Sequence, residues 1–263
     1  MPLPDVFSLT GKKALLHCPE HVYGLEIAAG LCEAGAQVWI CGPDAAALRE
    51  AERHLAGNGC NLSGQFVYQA GSESAALRLA EAAQAEMGSI DVFVDNGSGQ
   101  LPAGWQHDFD TIDNVLQRTQ LGLILTVQQI GLVMAGQQSG SVILVSDYAA
   151  LVGFDTNLYD PSSSKFQQDF SLLYGFVKGS MVNYARQAAG FLGEHGVRCN
   201  CLAFAPLSES VPDDFEQAYI RHAHLKKPIQ PQDIKAAAVF LAADASQYIT
   251  GITLPVDGGY TAK

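Results

Sequence analysis

Two side chains in the second half of the chain could share proton chemistry. Tyr174 and Lys178 stand four residues apart in YGFVKGSMVNYARQAA, and helical periodicity puts both on one face. An ammonium close to a phenol favours tyrosinate, so the pair suits moving a proton to or from an oxygen. A second group lies near the N-terminus, in KALLHCPEHVYGLEIAAG, where His17, Cys18, Glu20 and His21 follow an apolar run and precede a helical one. His17, Cys18 and His21 could ligate zinc with Glu20 near, yet a structural site wants a fourth ligand at clear spacing, and no metal is expected. His222 and His224, in RHAHLKK, fall in a flexible-looking segment far along the chain. Neither GxSxG nor HExxH occurs, so hydrolase chemistry by those routes is unsupported.

The elements that must position these residues alternate. Strand candidates are Lys13–His17, Gln37–Cys41, Gln65–Gln69, Asp91–Asp95, Ser141–Ser146, Arg198–Ala203 and Thr253–Val256. Helical patterns separate them over Gly24–Ala34, Ala45–Leu55, Ala75–Met87, Ile112–Met134, Tyr174–Leu192 and Pro231–Ala243. Alternation of this kind along a whole chain implies an α/β fold, a single Rossmann-type doubly wound parallel sheet of about seven strands with helices on both faces. In such a sheet ligands bind beyond the strand C-termini. The 17–24 loop, the 95–99 loop and the segments after Ser146 and Ala203 should therefore ring one cleft.

With 263 residues and no linker-like stretch, one domain spanning 1–263 is expected. The hydrophobic fraction of 48% supports a large core, and the net charge of −12 without a basic stripe excludes ordinary nucleic-acid binding. MPLPDVFSLTGKK lacks the apolar core of a signal peptide, no run approaches a membrane span, and no membrane partner is expected. Cys18, Cys32, Cys41, Cys60, Cys199 and Cys201 show no CxxC spacing and read as reduced, buried thiols, which gives a cytoplasmic expectation.

Five segments, in order, resemble the short-chain dehydrogenase/reductase family from about Val6 to Tyr260: VFSLTGKKALL, IDVFVDNGSG, GSVILVSDYAALVGF, YGFVKGSMVNYARQAA and ITGITLPVDGGY. The resemblance implies an NAD or NADP cofactor, a small-molecule substrate with a carbonyl or hydroxyl group, and a homodimer or homotetramer. It also implies that Tyr174 exchanges the proton at the substrate oxygen and that Lys178 lowers its pKa. The family's serine position falls on Asp147, with Ser146 one residue early, and its asparagine position falls on Thr119. Which of Ser146 and Asp147 faces Tyr174 stays open at this point.

The cofactor motifs depart from the family's pattern. TGxxxGxG falls on His17, Cys18, Pro19, Glu20, His21, Val22, Tyr23 and Gly24, so one of its three glycines survives, with Leu25 behind it at the helix start. Glycines belong there because a Cβ blocks the approach of a pyrophosphate to the backbone, and Glu20 adds a negative charge. The ribose-reading position, about 20 residues on, holds Gly42 and Pro43, and Asp44 there suits capping the next helix. The family's adenine-contacting Asp matches Ala70. Asn96 survives in DNGS and reads as a structural residue of the central sheet. The PG turn becomes Phe204–Ala205, beside which family members hold the nicotinamide amide. Asp147 and Tyr174 are 27 residues apart, where about a dozen is usual in the family, so 154–173 reads as an insertion at the mouth of the cleft. Its Asp155, Asn157, Tyr159, Asp160 and Gln168 could hydrogen-bond a sugar- or polyol-like substrate.

Three functions therefore compete. The first is an NAD(P)-dependent oxidoreductase acting on CH–OH groups with weakened or altered cofactor binding. The second is a non-catalytic binding or assembly protein on the same fold. The third is a redox-free small-anion site that reuses the nicotinamide crevice.

Overall fold

A computed structural model describes residues 2–97, 101–159 and 171–262. Seven parallel strands form one sheet in the order β3-β2-β1-β4-β5-β6-β7. They are β1 (Lys13–His17), β2 (Gln37–Gly42), β3 (Gly64–Val67), β4 (Val92–Asp95), β5 (Gly140–Asp147), β6 (Val197–Phe204) and β7 (Thr253–Val256). The principal helices are α1 (Gly24–Glu33), α2 (Ala45–Gly57), α3 (Glu73–Met87), α4 (Phe109–Leu116), α5 (Gly122–Gln137), α6 (Leu172–Leu192), α7 (Asp213–His222) and α8 (Pro231–Ala242).

Successive strand residues face opposite ways, and each face is covered by helices. Leu16, Ile40, Val94, Ile143, Val145 and Leu202 pack with Ile27, Leu31, Leu48, Ile234 and Leu241 of α1, α2 and α8. Their neighbours Leu15, Trp39, Phe93, Val142, Leu144 and Cys201 pack with Leu79, Ala83, Val127, Ile130, Met181 and Ala185 of α3, α5 and α6. That is why the strands read as continuous apolar runs rather than alternating ones.

Four expectations are corrected. The run read as one helix over Ile112–Met134 begins at Phe109 and passes through a π turn, Gln117–Leu121, before α5. As one helical run, Phe109–Gln137 is also long and apolar enough to meet the length and composition of a membrane span, although half of its most apolar window is buried against the protein. Helix α7 went unread because its sequence, DDFEQAYIRH, is mostly polar; the helix presents only Phe215, Ala218 and Tyr219 to the core. His222 therefore ends a helix rather than lying in a loose segment.

Not all the cysteines are free thiols. Cys32, in α1, is bonded to Cys60, in the loop after α2, with their Cα atoms 5.6 Å apart. The pairing joins residues distant in sequence that the α1–α2 packing brings within disulfide reach, which spacing rules cannot detect. Cys18, Cys41, Cys199 and Cys201 are buried free thiols.

Candidate active site and nucleotide loop

Strand β5 ends at Asp147, and its two last side chains point opposite ways. Ser146 Oγ turns into the body of the protein and donates to the Lys178 carbonyl at 3.0 Å. Asp147 faces the cleft, where the Tyr174 hydroxyl donates to Oδ2, while Oδ1 accepts from the Ala149 N–H at 2.9 Å. The question of which residue meets Tyr174 is thus settled by the pleat of the strand in favour of Asp147.

Ser171 caps α6 by accepting from the Tyr174 N–H at 3.2 Å, and the helix then carries Tyr174 and Lys178 one turn apart. Lys178 Nζ lies 5.8 Å from the Tyr174 ring centroid and 3.5 Å from the Val145 carbonyl oxygen. Burial pushes the Tyr174 hydroxyl well above its usual range, and the Asp147 carboxylate pushes it further. Burial raises Asp147 too, against the pull of Lys178, and burial lowers Lys178 against the pull of Asp147. A phenol that donates to a carboxylate is held in its protonated form. The trio thus favours a neutral tyrosine, the reverse of what a tyrosine–lysine pair alone would give.

Thr119 is buried in the π turn and donates to its own helix at the Val115 carbonyl, 2.6 Å away. That is the ordinary behaviour of a mid-helix threonine and removes the hydroxyl from the cleft. Asp155 caps a short 3-10 turn, Thr156–Leu158, and accepts from the Tyr260 hydroxyl. Tyr159 packs between Phe154 at 5.1 Å and Phe215 at 5.2 Å. Asp160 and Gln168, along with most of the 154–173 insertion, lie outside the described residues.

The 17–24 loop is folded against itself. Cys18 and Tyr23 both adopt positive φ, 55° and 74°, a conformation uncommon outside glycine. The His21 N–H donates to the Cys18 carbonyl at 3.2 Å, and the Gly24 N–H at the start of α1 donates to His21 at 2.9 Å. Packing alone requires a glycine at position 24: a Cβ there would lie 2.4 Å from the Pro19 carbonyl oxygen. Asn96 clamps the loop, its Nδ2 donating to the Cys18 carbonyl at 3.1 Å and to the His21 carbonyl at 3.3 Å. His17 is tied instead to Asp95, with Nδ1 and Oδ1 3.1 Å apart. Burial works against the Asp95 carboxylate, but the His17 bond and the Gly97 N–H outweigh it and hold its pKa low. Val22 points outward and half-exposed, so its branching does not crowd the cleft.

Tyr23 turns the other way. Its ring is buried 4.9 Å from the Phe204 ring, and its hydroxyl donates to the Ala205 carbonyl at 2.9 Å. That carbonyl belongs to the Phe204–Ala205 turn, which the family resemblance puts beside a nicotinamide. At the other end, the Glu20 carboxylate oxygens lie 3.3 Å from where a Gly42 Cβ would stand, beside the ribose-reading position. Asp44 is used up as a helix cap, accepting from the Ala46 N–H at 2.8 Å. Ala70 lines a cleft with Asp110, Asp113 and Arg118 and offers adenine no carboxylate. As arranged, these residues do not fit NAD(P) in its usual pose. A phenol stands where the resemblance puts the nicotinamide, a carboxylate where it puts the ribose, and Cys18 sets a Cβ at a glycine position between them.

Sequence reading missed the His17–Asp95 pair, whose partners lie on different strands, although register at the ends of β1 and β4 makes them neighbours. It also missed the packing of Tyr148, Tyr219 and Tyr260, with ring centroids 4.4–5.3 Å apart beside Asp147. No local signal joins those three residues.

The family model for enoyl-(acyl carrier protein) reductases matches residues 21–261. An oxidoreductase of Sarocladium schorii, asL5, is 30% identical over 257 residues, covering 95% of this chain and 96% of that one. The gluconate 5-dehydrogenase of Gluconobacter oxydans is 27% identical, with both chains covered in full. The solved gluconate 5-dehydrogenase of Burkholderia cenocepacia, in complex with NADP and tartrate, superposes with a TM-score of 0.85 at 22% identity over 98% of each chain. With the parallel sheet, the Tyr174–Lys178 pair and these matches together, the chain belongs to the short-chain dehydrogenase/reductase family.

Proposed function

We propose that this chain is a non-redox member of its family, a binding or assembly protein that does not take NAD(P) in the ordinary pose. One observation carries the reading: the Tyr23 hydroxyl on the Ala205 carbonyl, with its ring against Phe204. Asp147 adds to it, because a carboxylate facing Tyr174 opposes the tyrosinate that hydride chemistry would use. A redox-free anion site in the nicotinamide crevice is disfavoured by the same side chain, since Tyr23 takes that space.

Exposed apolar side chains on α5 and α6, among them Ile124, Leu132, Phe176 and Phe191, support a homo-oligomer, which light scattering would check. The cytoplasmic placement belongs to this reading as well and is checked by fractionation. The deciding experiment is titration of purified protein with NADH and NADPH, read by thermal shift and by nicotinamide fluorescence. The expected result is no change at millimolar cofactor; saturable binding in the micromolar range would overturn the proposal.

A second reading, an oxidoreductase of a sugar- or polyol-like substrate with altered cofactor binding, is favoured by the intact Tyr174–Lys178 pair. The Gluconobacter relatives, named as gluconate 5-dehydrogenase and glucose 1-dehydrogenase, point the same way. Under it, turnover of a polyol with either cofactor is abolished by Tyr174→Phe.

A further inference from the structure

The loop that fails as a phosphate cradle gathers three good metal ligands. Cys18 Sγ, a Glu20 carboxylate oxygen and a ring nitrogen of His21 all lie within 4.8 Å of one another. His21 Nε2 is 3.9 Å from Glu20 Oε1, while its Nδ1 lies 3.0 Å from the Asn96 carbonyl oxygen. With the Asn96 carbonyl at Nδ1, the ring is oriented so that Nε2 lies on the Glu20 side. This is the outer-shell arrangement that orients histidine ligands in metal sites.

The backbone under the ligands is also fixed. The Asn96 side chain holds the carbonyls of Cys18 and His21, and the Cys18 N–H donates to Cys41 at 2.7 Å. Cys18 is kept at positive φ, where a glycine would cost nothing, so the thiol is held at a strained position pointing into the cluster. Burial is graded: Cys18 is closed off, while the Glu20 and His21 side chains are about a quarter exposed, which leaves a solvent-facing side for entry and for an exchangeable ligand.

We propose that Cys18, Glu20 and His21 bind a divalent transition metal of the zinc type. The donor set is one soft sulfur, one imidazole nitrogen and one carboxylate oxygen, which suits Zn²⁺ with a fourth position left open. Charge balances: binding displaces the Cys18 thiol proton to solvent, and thiolate plus carboxylate neutralise a dication. Zinc–ligand bonds of about 2.0–2.3 Å in a tetrahedron place donor atoms roughly 3.3–3.6 Å apart. The cluster must therefore close by about 1 Å, which rotation of the partly exposed Glu20 and His21 side chains supplies. The site rests on this geometry and not on the function proposed above.

The test uses Co²⁺ as the probe on the full chain, then Zn²⁺ in competition. Wild-type protein should take up one equivalent of Co²⁺ with a thiolate-to-metal charge-transfer band, and Zn²⁺ should bleach it. Cys18→Ser should abolish the band, and Glu20→Gln and His21→Ala should each weaken Co²⁺ binding at least about tenfold, the loss typical of altered metal-site residues. Should Cys18→Ser fail to fold, as shown by circular dichroism, the two surface variants carry the test by themselves. Absence of the band in wild type, its persistence in Cys18→Ser, or unchanged affinity in both surface variants would overturn the proposal.

Discussion

Replacing Tyr23 by glycine tests the closed crevice directly. The ring is buried against Phe204, and removing an aromatic side chain from a packed site costs about 3–5 kcal/mol. Loss of the hydroxyl's bond to Ala205 adds about 1 kcal/mol. Against this, φ of 74° is disfavoured for a residue with a Cβ by about 1–2 kcal/mol, and glycine relieves that term. The net expectation is a loss of about 3–4 kcal/mol, measured from the urea midpoint at constant slope. Tyr23→Phe, which keeps the ring, should lose only about 1–2 kcal/mol. The glycine variant also opens a phenol-sized space beside the Ala205 carbonyl, so NADH fluorescence should respond to it more than to wild type. Two results would refute the reasoning: wild type binding NADH as tightly as Tyr23→Gly, or Tyr23→Phe losing as much stability as the glycine variant.

Asp147→Ser removes the carboxylate that helps hold Tyr174 protonated, so ultraviolet titration should show one tyrosine ionising at lower pH than in wild type; an unchanged curve counts against the contact. Asp95 has a folded pKa below its unfolded value of about 3.9, so its contribution is present above that pH and is lost as pH falls through the folded value. His17→Ala removes a hydrogen bond to a buried carboxylate and should cost about 1.5–3 kcal/mol near neutrality, with the gap to wild type narrowing below about pH 4 in acid-denaturation curves. Gly24→Ala drives a methyl into the Pro19 carbonyl and should cost about 1–3 kcal/mol, read by chemical denaturation, with neutrality arguing that the loop is not packed as described. Thiol titration of the denatured, unreduced protein should count four free cysteines rather than six. Reduction of the Cys32–Cys60 bridge, which spans 28 residues, should cost about 3–4 kcal/mol by the loop-closure relation.

The parallel sheet was readable from the chain because apolar runs such as Lys13–His17 and Thr253–Val256 carry their own period and turn signals. Both match the observed strands at each end. Helix α6 was readable for the same reason, and with it the one-turn spacing of Tyr174 and Lys178. The π turn and α7 were not: one keeps the helical repeat while shifting it, and the other shows the core only three apolar residues.

At the site, sequence determined which groups were present, and tertiary structure decided what each one faces. Cys18, Val22, Gly42, Ala70 and Asp147 announce departures from the cofactor pattern wherever they point, because the change is one of chemical type. Direction is a different matter. The β5 pleat sends Ser146 to the Lys178 carbonyl and Asp147 to Tyr174, and the positive φ at residue 23 sends the tyrosine ring inward while Val22 turns to solvent. Partners distant in the chain, such as His17 with Asp95, Cys32 with Cys60 and His21 with Asn96, meet only when strands fall into register and helices dock. Local sequence sets backbone preference and chemistry within a few residues, whereas those meetings are fixed by packing across the whole sheet.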